Sequence, residues 1–417
     1  MVIDFWSFVG LLLTAFLFYR FIEQLGKGFP VFELIGLLAS LQWILGPFQS
    51  YNNPISHYKY YMYVRQEEYM AFVVPAMLLF SWLLMKKRTI NINIGILKNY
   101  SNYGLPLLFI GFFADLASGF VPNALLFFLF LISNFKYVGA VLLLFSPNPT
   151  HRTFFYGSLV YLVYRALSSG MFHDLILWSI FFLMFWAVKY RPSFKFKLVI
   201  IGVGICSSIA IQVVKAQYRV ALRGSGAINK VELFTSIFVE RMEAGVLEEE
   251  EGQEELNVRL NQGWIISAIM HHVPNSEDYA GGETIIEAFS ASLLPRFLNP
   301  NKKKAGGREN FMRFTGLPLG GNTSMGTSVI GEAYANFGKW GGIGFMFFWG
   351  GILLWYWNQL QRLIFTTPLL VVFVPLLFLQ VVKAETELVV VLNHLVKASM
   401  VVWMFFWGAR NILKWEV

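Results

Sequence analysis

The chain reads as an all-α, polytopic membrane protein. Of its 417 residues 56% are hydrophobic and only 14% charged, and the apolar residues fall in stretches long enough to cross a bilayer. A soluble domain carries about 25% charged residues. A hydrocarbon core about 30 Å thick takes about 20 mostly apolar residues per helix. Eleven such stretches can be marked, at 2–19, 30–48, 69–85, 104–121, 123–146, 153–169, 172–188, 198–214, 341–357, 368–382 and 388–408. The chain therefore divides into membrane helices over 1–214, one large loop over 215–340 and membrane helices over 341–417, forming one integrated domain.

The first stretch carries Asp4, with no basic residue ahead of it and no small-x-small cleavage pattern, so it is expected to stay as an anchor. Lys and Arg are placed unevenly along the rest. Lys86, Lys87, Arg88 and Lys98 follow the third stretch, and Lys189, Arg191, Lys195 and Lys197 follow the seventh. No basic residue lies between Val121 and Asn123 or between Ser169 and Phe172. The positive-inside rule makes the basic connections cytoplasmic. The N-terminus and the large loop are then outside, and the C-terminus with Arg410 and Lys414 is inside. Trp43, Trp340, Trp355 and Trp357 near stretch ends fit interfacial anchoring. The net charge of +8 belongs mostly to residues flanking these stretches, so the expected partners are membrane lipids and not nucleic acid. Cys206, the only cysteine, falls inside an apolar stretch, so the loop holds no disulfide and must be ordered by packing.

Asp115, Lys136, Arg165, His394 and Lys397 are ionisable residues inside apolar stretches. Such residues are costly in lipid and are functional candidates by default. Asp115 and Lys136 also fit a purely structural pair. Arg165 near the outer end of its stretch puts a guanidinium at phosphate headgroup level.

In the loop, Val231, Phe234, Phe238 and Met242 recur at helical spacing, so 231–244 is expected as an amphipathic helix lying on the membrane or the bundle. Glu248 to Glu251, with Glu254 and Glu255, form an acidic run that reads as a solvated loop. Leu256, Leu260, Trp264 and Ala268 give a second helix that Pro274 ends, and a third runs from about Glu283 to Leu293, stopped by Pro295. That is too much structure for a passive connector.

The loop also carries an ordered series: Arg259-Leu260-Asn261-Gln262-Gly263, Pro274, Tyr279-Ala280-Gly281-Gly282, Pro295-Arg296, Lys302 to Lys304, and Gly331-Glu332-Ala333-Tyr334-Ala335-Asn336-Phe337-Gly338. This series resembles the bacterial oligosaccharide repeat-unit polymerases of the Wzy type. The family's elements are Arg-x-Asn-x-Gly, a Pro, Tyr-x-x-Gly, Pro-Arg with a following Lys, and Gly-Glu-x-Tyr-x-Asn-Phe-Gly before a membrane helix. The resemblance implies a cofactor-free glycosyltransferase of the bacterial inner membrane, with its loop in the periplasm. It would polymerise undecaprenyl-pyrophosphate-linked oligosaccharide units, with a chain-length regulator protein as a further partner. Close alternatives are an O-antigen ligase-type transferase and, from another class, a lipid-linked-glycan flippase.

That chemistry needs cations at the departing pyrophosphate, a base at the attacking hydroxyl and a hold on two lipid-borne substrates. Arginine suits the first, because its planar fork makes bidentate, charge-assisted bonds to phosphate. Arg259 and Arg296 occupy the family's motif positions, and one of Lys302 to Lys304 occupies the Lys position. Arg219, Arg223 and Arg241 offer further guanidinium groups, the first two close to headgroup depth, where ordinary lipid contact is the rival reading. Glu332 is the first candidate for general base, with His271 and His272 behind it; the His pair at a helix end also suits the helix dipole. Asn261, Tyr279, Tyr334 and Asn336 are motif residues placed to contact substrate, although aromatic residues as often pack a small domain. Metal is discounted. Asp occurs only at 4, 115, 174 and 278, so no Asp-x-Asp site exists, and oxygen-ligand sites lean on clustered carboxylates.

Overall fold

The computed structural model describes residues 3–53, 60–86, 93–224, 229–244, 260–293, 307–320 and 323–416. Among them all regular structure is helical, and the only β pairing is an isolated bridge between Leu25 and Gly28. Among the described residues nine helices are long and apolar enough to cross a membrane: Phe5–Gln24, Val31–Asn52, Gln66–Met85, Ile94–Phe120, Asn123–Phe145, His173–Tyr190, Phe194–Leu222, Val329–Thr366 and Leu388–Asn411. The protein is a multi-pass membrane protein.

Two of the eleven expected stretches fall short of these criteria, each for a physical reason. Pro149–Ser169 is a helix of 21 residues, long enough to span, but it carries His151, Arg152, Arg165 and several hydroxyl side chains. The tenth stretch is broken. Its six residues Pro368–Phe373 form a 3-10 helix, a short α-helix follows over Val374–Phe378, and turns occupy 379–387. Pro368 and Pro375 each remove a backbone donor.

Both segments nevertheless run from one end of the bundle to the other, as hydrogen bonds between helix ends demonstrate. At one end Lys197 Nζ donates to Ile22 O at 3.1 Å, Lys189 donates to Leu144 O, and Arg410 donates to Thr367 Oγ1 at 2.6 Å. At the other end Gln66 donates to Asp4 at 3.1 Å, Tyr218 donates to Leu167 O at 2.8 Å, and the Leu388 N–H donates to Glu332 at 3.0 Å. Thr367 thus lies beside the C-terminal end of the last helix and Glu387 at its N-terminal end, so 368–387 traverses the bundle without being a continuous helix. Irregular backbone at that depth is tolerated where protein encloses it, and Leu369 to Leu379 are all buried.

The first helix shows how sequence makes each pass. Asp4 caps it, its Oδ1 accepting the Ser7 N–H at 3.0 Å. Leu13, Leu17 and Phe21 face the bundle, while Phe5, Phe8, Leu12, Phe16 and Tyr19 repeat every three or four residues on the exposed face. An exposed apolar stripe is what a lipid-facing helix needs.

The loop helices are part of the same core. Gly263–His272 begins later than the expected second helix; residues 256–259 lie outside the described region. Every residue from Gly263 to Met270 is buried, because a helix apolar on all sides needs enclosure all round. Lys230–Glu243 packs by Phe234 and Phe238 against Phe172 and Tyr218, and Glu283–Leu293 has the expected bounds. A fourth helix, Arg308–Thr315, was not expected, since Arg308, Glu309 and Arg313 dilute its apolar residues.

Candidate functional site

The motif containing Glu332 is not loop at all. It forms the first two turns of Val329–Thr366, capped by Ser328, whose hydroxyl accepts the Gly331 N–H at 3.2 Å. The helix is interrupted at Gly338, which has φ 66° and ψ −166°, a region essentially reserved for glycine. A Cβ there would stand 2.9 Å from the Tyr279 hydroxyl oxygen. Gly338 thus turns the chain and admits Tyr279 together.

Asn336, 1% exposed, ties this helix to the Tyr-Ala-Gly-Gly turn. Its Oδ1 accepts the Gly282 N–H at 3.0 Å, and its Nδ2 donates to Thr284 Oγ1 and to Glu332 O, both at 2.8 Å. The Ala280 N–H donates to Ala335 O at 3.0 Å and the Gly281 N–H to Asn336 O at 3.1 Å. Tyr334, buried, meets Phe72 edge-on at 5.0 Å and Tyr279 at 6.4 Å between ring centres. Tyr279 itself is half exposed, as is Phe337, so both are motif aromatics that a ligand at this end could reach.

Asn261, fully buried, seats the first motif segment against the second membrane pass. Its Nδ2 donates to Ser50 Oγ at 2.8 Å, its Oδ1 accepts the Trp264 N–H at 3.1 Å, and the Gln262 N–H donates to Gln42 O at 3.1 Å. The stretches 279–284 and 329–338 are thus joined directly, and the helix begun by 261–264 reaches them through Ile266 and Ile269, which pack beside Gly331.

Below them lie two enclosed carboxylates. Glu332, 1% exposed, accepts the Leu388 N–H through Oε2, so it occupies the N-terminus of the last helix, where helix dipole and unpaired N–H groups favour an anion. Glu387, 2% exposed, accepts from Asn310 Nδ2 at 3.5 Å. Beside them His173 Nδ1 lies 3.5 Å from Glu385 Oε1 and Lys383 Nζ 3.6 Å from Asp174 Oδ1. No protein-family model, curated protein or solved structure matches this chain. The site therefore has to be read from its own geometry.

The expected residues do not all gather there. Arg259, Arg296 and Lys302 lie outside the described residues, as does the side chain of Arg223. Arg219 is exposed, and its Nε donates to Gly170 O at 2.8 Å, closing the end of Pro149–Ser169. Arg241 is half-buried in the last turn of Lys230–Glu243. Arg165 lies apart from the motif residues, 3.4 Å from Asp115. Asp115 and Lys136 form the structural pair that the sequence offered, at 2.9 Å. His271 is exposed, with its ring 6.1 Å from that of Tyr63, and His272 is half-buried.

Arg313 is held by Glu277 at 2.6 Å and Glu283 at 3.0 Å. The hydrogen bond to Glu277 first, and that to Glu283 after it, raise the guanidinium pKa further. Glu385 and Glu387 are not among the residues expected from the sequence. The signal for them was present: Lys383-Ala384-Glu385-Thr386-Glu387 is a charged run between two apolar stretches.

Proposed function

We propose that the chain is a membrane glycosyltransferase that polymerises oligosaccharide units carried on a polyprenyl pyrophosphate, a repeat-unit polymerase of the Wzy type. One observation carries this reading. Two described motif segments, 279–284 and 329–338, are joined through Asn336, and the helix that follows Asn261 packs Ile266 and Ile269 beside Gly331 at the same end of the bundle. A motif whose parts only stabilised separate helices would have no reason to assemble.

In this reaction a hydroxyl of the incoming unit attacks the anomeric carbon of the growing chain. The bond from that carbon to the pyrophosphate oxygen breaks, and the lipid pyrophosphate leaves. Arg259 and Arg296 neutralise its developing charge by bidentate hydrogen bonds. A base must come within hydrogen-bond reach of the hydroxyl. Glu332 is enclosed and turned onto Leu388, so in this reading it holds the floor of the site together, and the exposed His271 accepts the proton. Tyr279 offers a half-exposed ring to a sugar face.

Deleting the gene tests the reaction class through the glycan banding pattern on a gel. A core bearing a single unit supports a polymerase; uncapped core overturns it in favour of a ligase or flippase. The flippase has one observation of its own. The broken pass over 368–387, with Lys383 and Glu385 in its turns, has the interrupted form that transporters use around a substrate path.

A further inference from the structure

Asp115 is the hub of a charged group set apart from the motif residues. Its Oδ2 accepts from Lys136 Nζ at 2.9 Å and from the Tyr161 hydroxyl at 2.8 Å, and its Oδ1 accepts from one nitrogen of Arg165 at 3.4 Å. Exposure rises outward through the three charges: the side chain of Lys136 is 4% exposed, Asp115 14% and Arg165 54%. Close helix packing explains the burial of Lys136, since a Cβ on Gly111 would stand 2.1 Å from the Lys136 backbone nitrogen. An ammonium enclosed in that way requires a carboxylate, because an unpaired buried charge is strongly destabilising.

Two cations share one anion, so a positive charge is left over, and it resides on the exposed member. A guanidinium carries five N–H donors. Among the described residues Arg165 uses one of them, in the long bond to Asp115. Its position narrows the partner. Arg165 stands four residues before Ser169, the last residue of its helix, or about 6 Å along the axis at 1.5 Å per residue. The neighbouring surface is apolar: Val160, Tyr164, Phe113, Leu116 and Phe120 are all largely exposed on these two helices. Exposed apolar side chains on a membrane helix face lipid, and an arginine there directs its head to the interface.

We propose that Arg165, oriented by Asp115 with Lys136 behind it, binds the phosphate of a lipid headgroup at the lipid-facing surface of the bundle. Phosphate is the chemistry that matches unused, planar, charge-assisted donors. Asp115 keeps the guanidinium in place while Lys136 takes up most of its negative charge, so the phosphate meets net positive charge. The phosphate can come from an anionic phospholipid of the membrane or from a polyprenyl pyrophosphate; the second source rests on the polymerase reading, the first does not.

The test uses the full chain in lipid nanodiscs, comparing wild type with Arg165→Gln and Arg165→Lys. Bound lipid is counted by native mass spectrometry as phosphatidylglycerol replaces phosphatidylcholine. The wild type should prefer phosphatidylglycerol. Arg165→Gln should weaken that preference by about tenfold or more, the size expected for a hydrogen bond to a charged group, and Arg165→Lys should keep part of it. Thermal unfolding of each variant checks that the fold is intact. Equal phosphatidylglycerol affinity in wild type and Arg165→Gln, or no preference in wild type, overturns the site. Adding polyprenyl pyrophosphate then separates the sources: displacement of phosphatidylglycerol assigns the site to the substrate class, and lack of displacement to membrane phospholipid. Because binding is read without turnover, failure of the polymerase reading leaves this result interpretable.

Discussion

Glu332 and Leu388 are 56 residues apart in sequence and joined by a 3.0 Å hydrogen bond, from the Leu388 N–H to the Glu332 carboxylate. The bond fastens the start of one membrane pass to the start of another, at the end of the bundle where the motif segments meet. Removing the carboxylate with Glu332→Ala should destabilise the protein by about 1–3 kcal/mol, the range for a buried donor left unsatisfied. The Gln variant keeps an acceptor oxygen and should lose less. Unfolding temperatures measured beside turnover separate the roles. A cap predicts an Ala variant that is less stable and a Gln variant that still turns over; a general base predicts loss of about 100-fold or more in Gln with stability intact.

Gly338 and Tyr279 make a second pair with a measurable consequence. The backbone at Gly338 is one that only glycine adopts easily, so Gly338→Ala should cost about 1–3 kcal/mol from strain. Its new Cβ would also displace the Tyr279 ring. Tyr279→Leu in the same chain should recover the steric part and leave the strain. Complete recovery of the unfolding temperature in the double variant would show that the positive φ itself carries little cost.

Asn336 predicts a local effect. With Asn336→Ala, the Gly282 N–H and the Thr284 hydroxyl both lose their partner, so the 279–284 turn should detach before the membrane passes do. Limited proteolysis should cleave near Ser276 to Gly282 in the variant at protease concentrations that spare the wild type. Equal resistance would mean that the backbone bonds of Ala280 and Gly281 suffice to hold the turn.

The basic connections carry an expectation of orientation that is independent of the chemistry. An alkaline phosphatase reporter, active only outside the cytoplasm, should work when fused after Ser276 and fail when fused after Arg191. The reverse pattern would put the motif end of the bundle in the cytoplasm and remove the outer-face reaction.

The passes were legible because membrane helices announce themselves by composition, and the end of Glu283–Leu293 because Pro295 follows it. The broken pass was legible as a stretch but not as a shape: Pro368 and Pro375 mark it, yet only packing around 369–379 decides that an irregular chain is enclosed there. Arg308–Thr315 was missed since its helical period is masked by three charges. Partnerships behaved in the same way. Asp115 with Lys136 is a pairing that scarcity suggests, as few ionisable residues lie in the passes to choose from. Glu332 with Leu388, and Asn336 with Gly282, are contacts to backbone N–H groups more than fifty residues away, which no residue type can signal.

The central claim is that this chain joins lipid-linked units, and purified protein in nanodiscs tests it most directly. Given oligosaccharide on polyprenyl pyrophosphate, with a chelator present, it should produce a ladder of longer glycans and release lipid pyrophosphate. Arg296→Ala should reduce the rate by about tenfold or more, and Arg296→Lys should restore little of it because an ammonium lacks the fork. A protein that forms no ladder from intact donor, or moves the donor across the bilayer without joining units, would contradict the account.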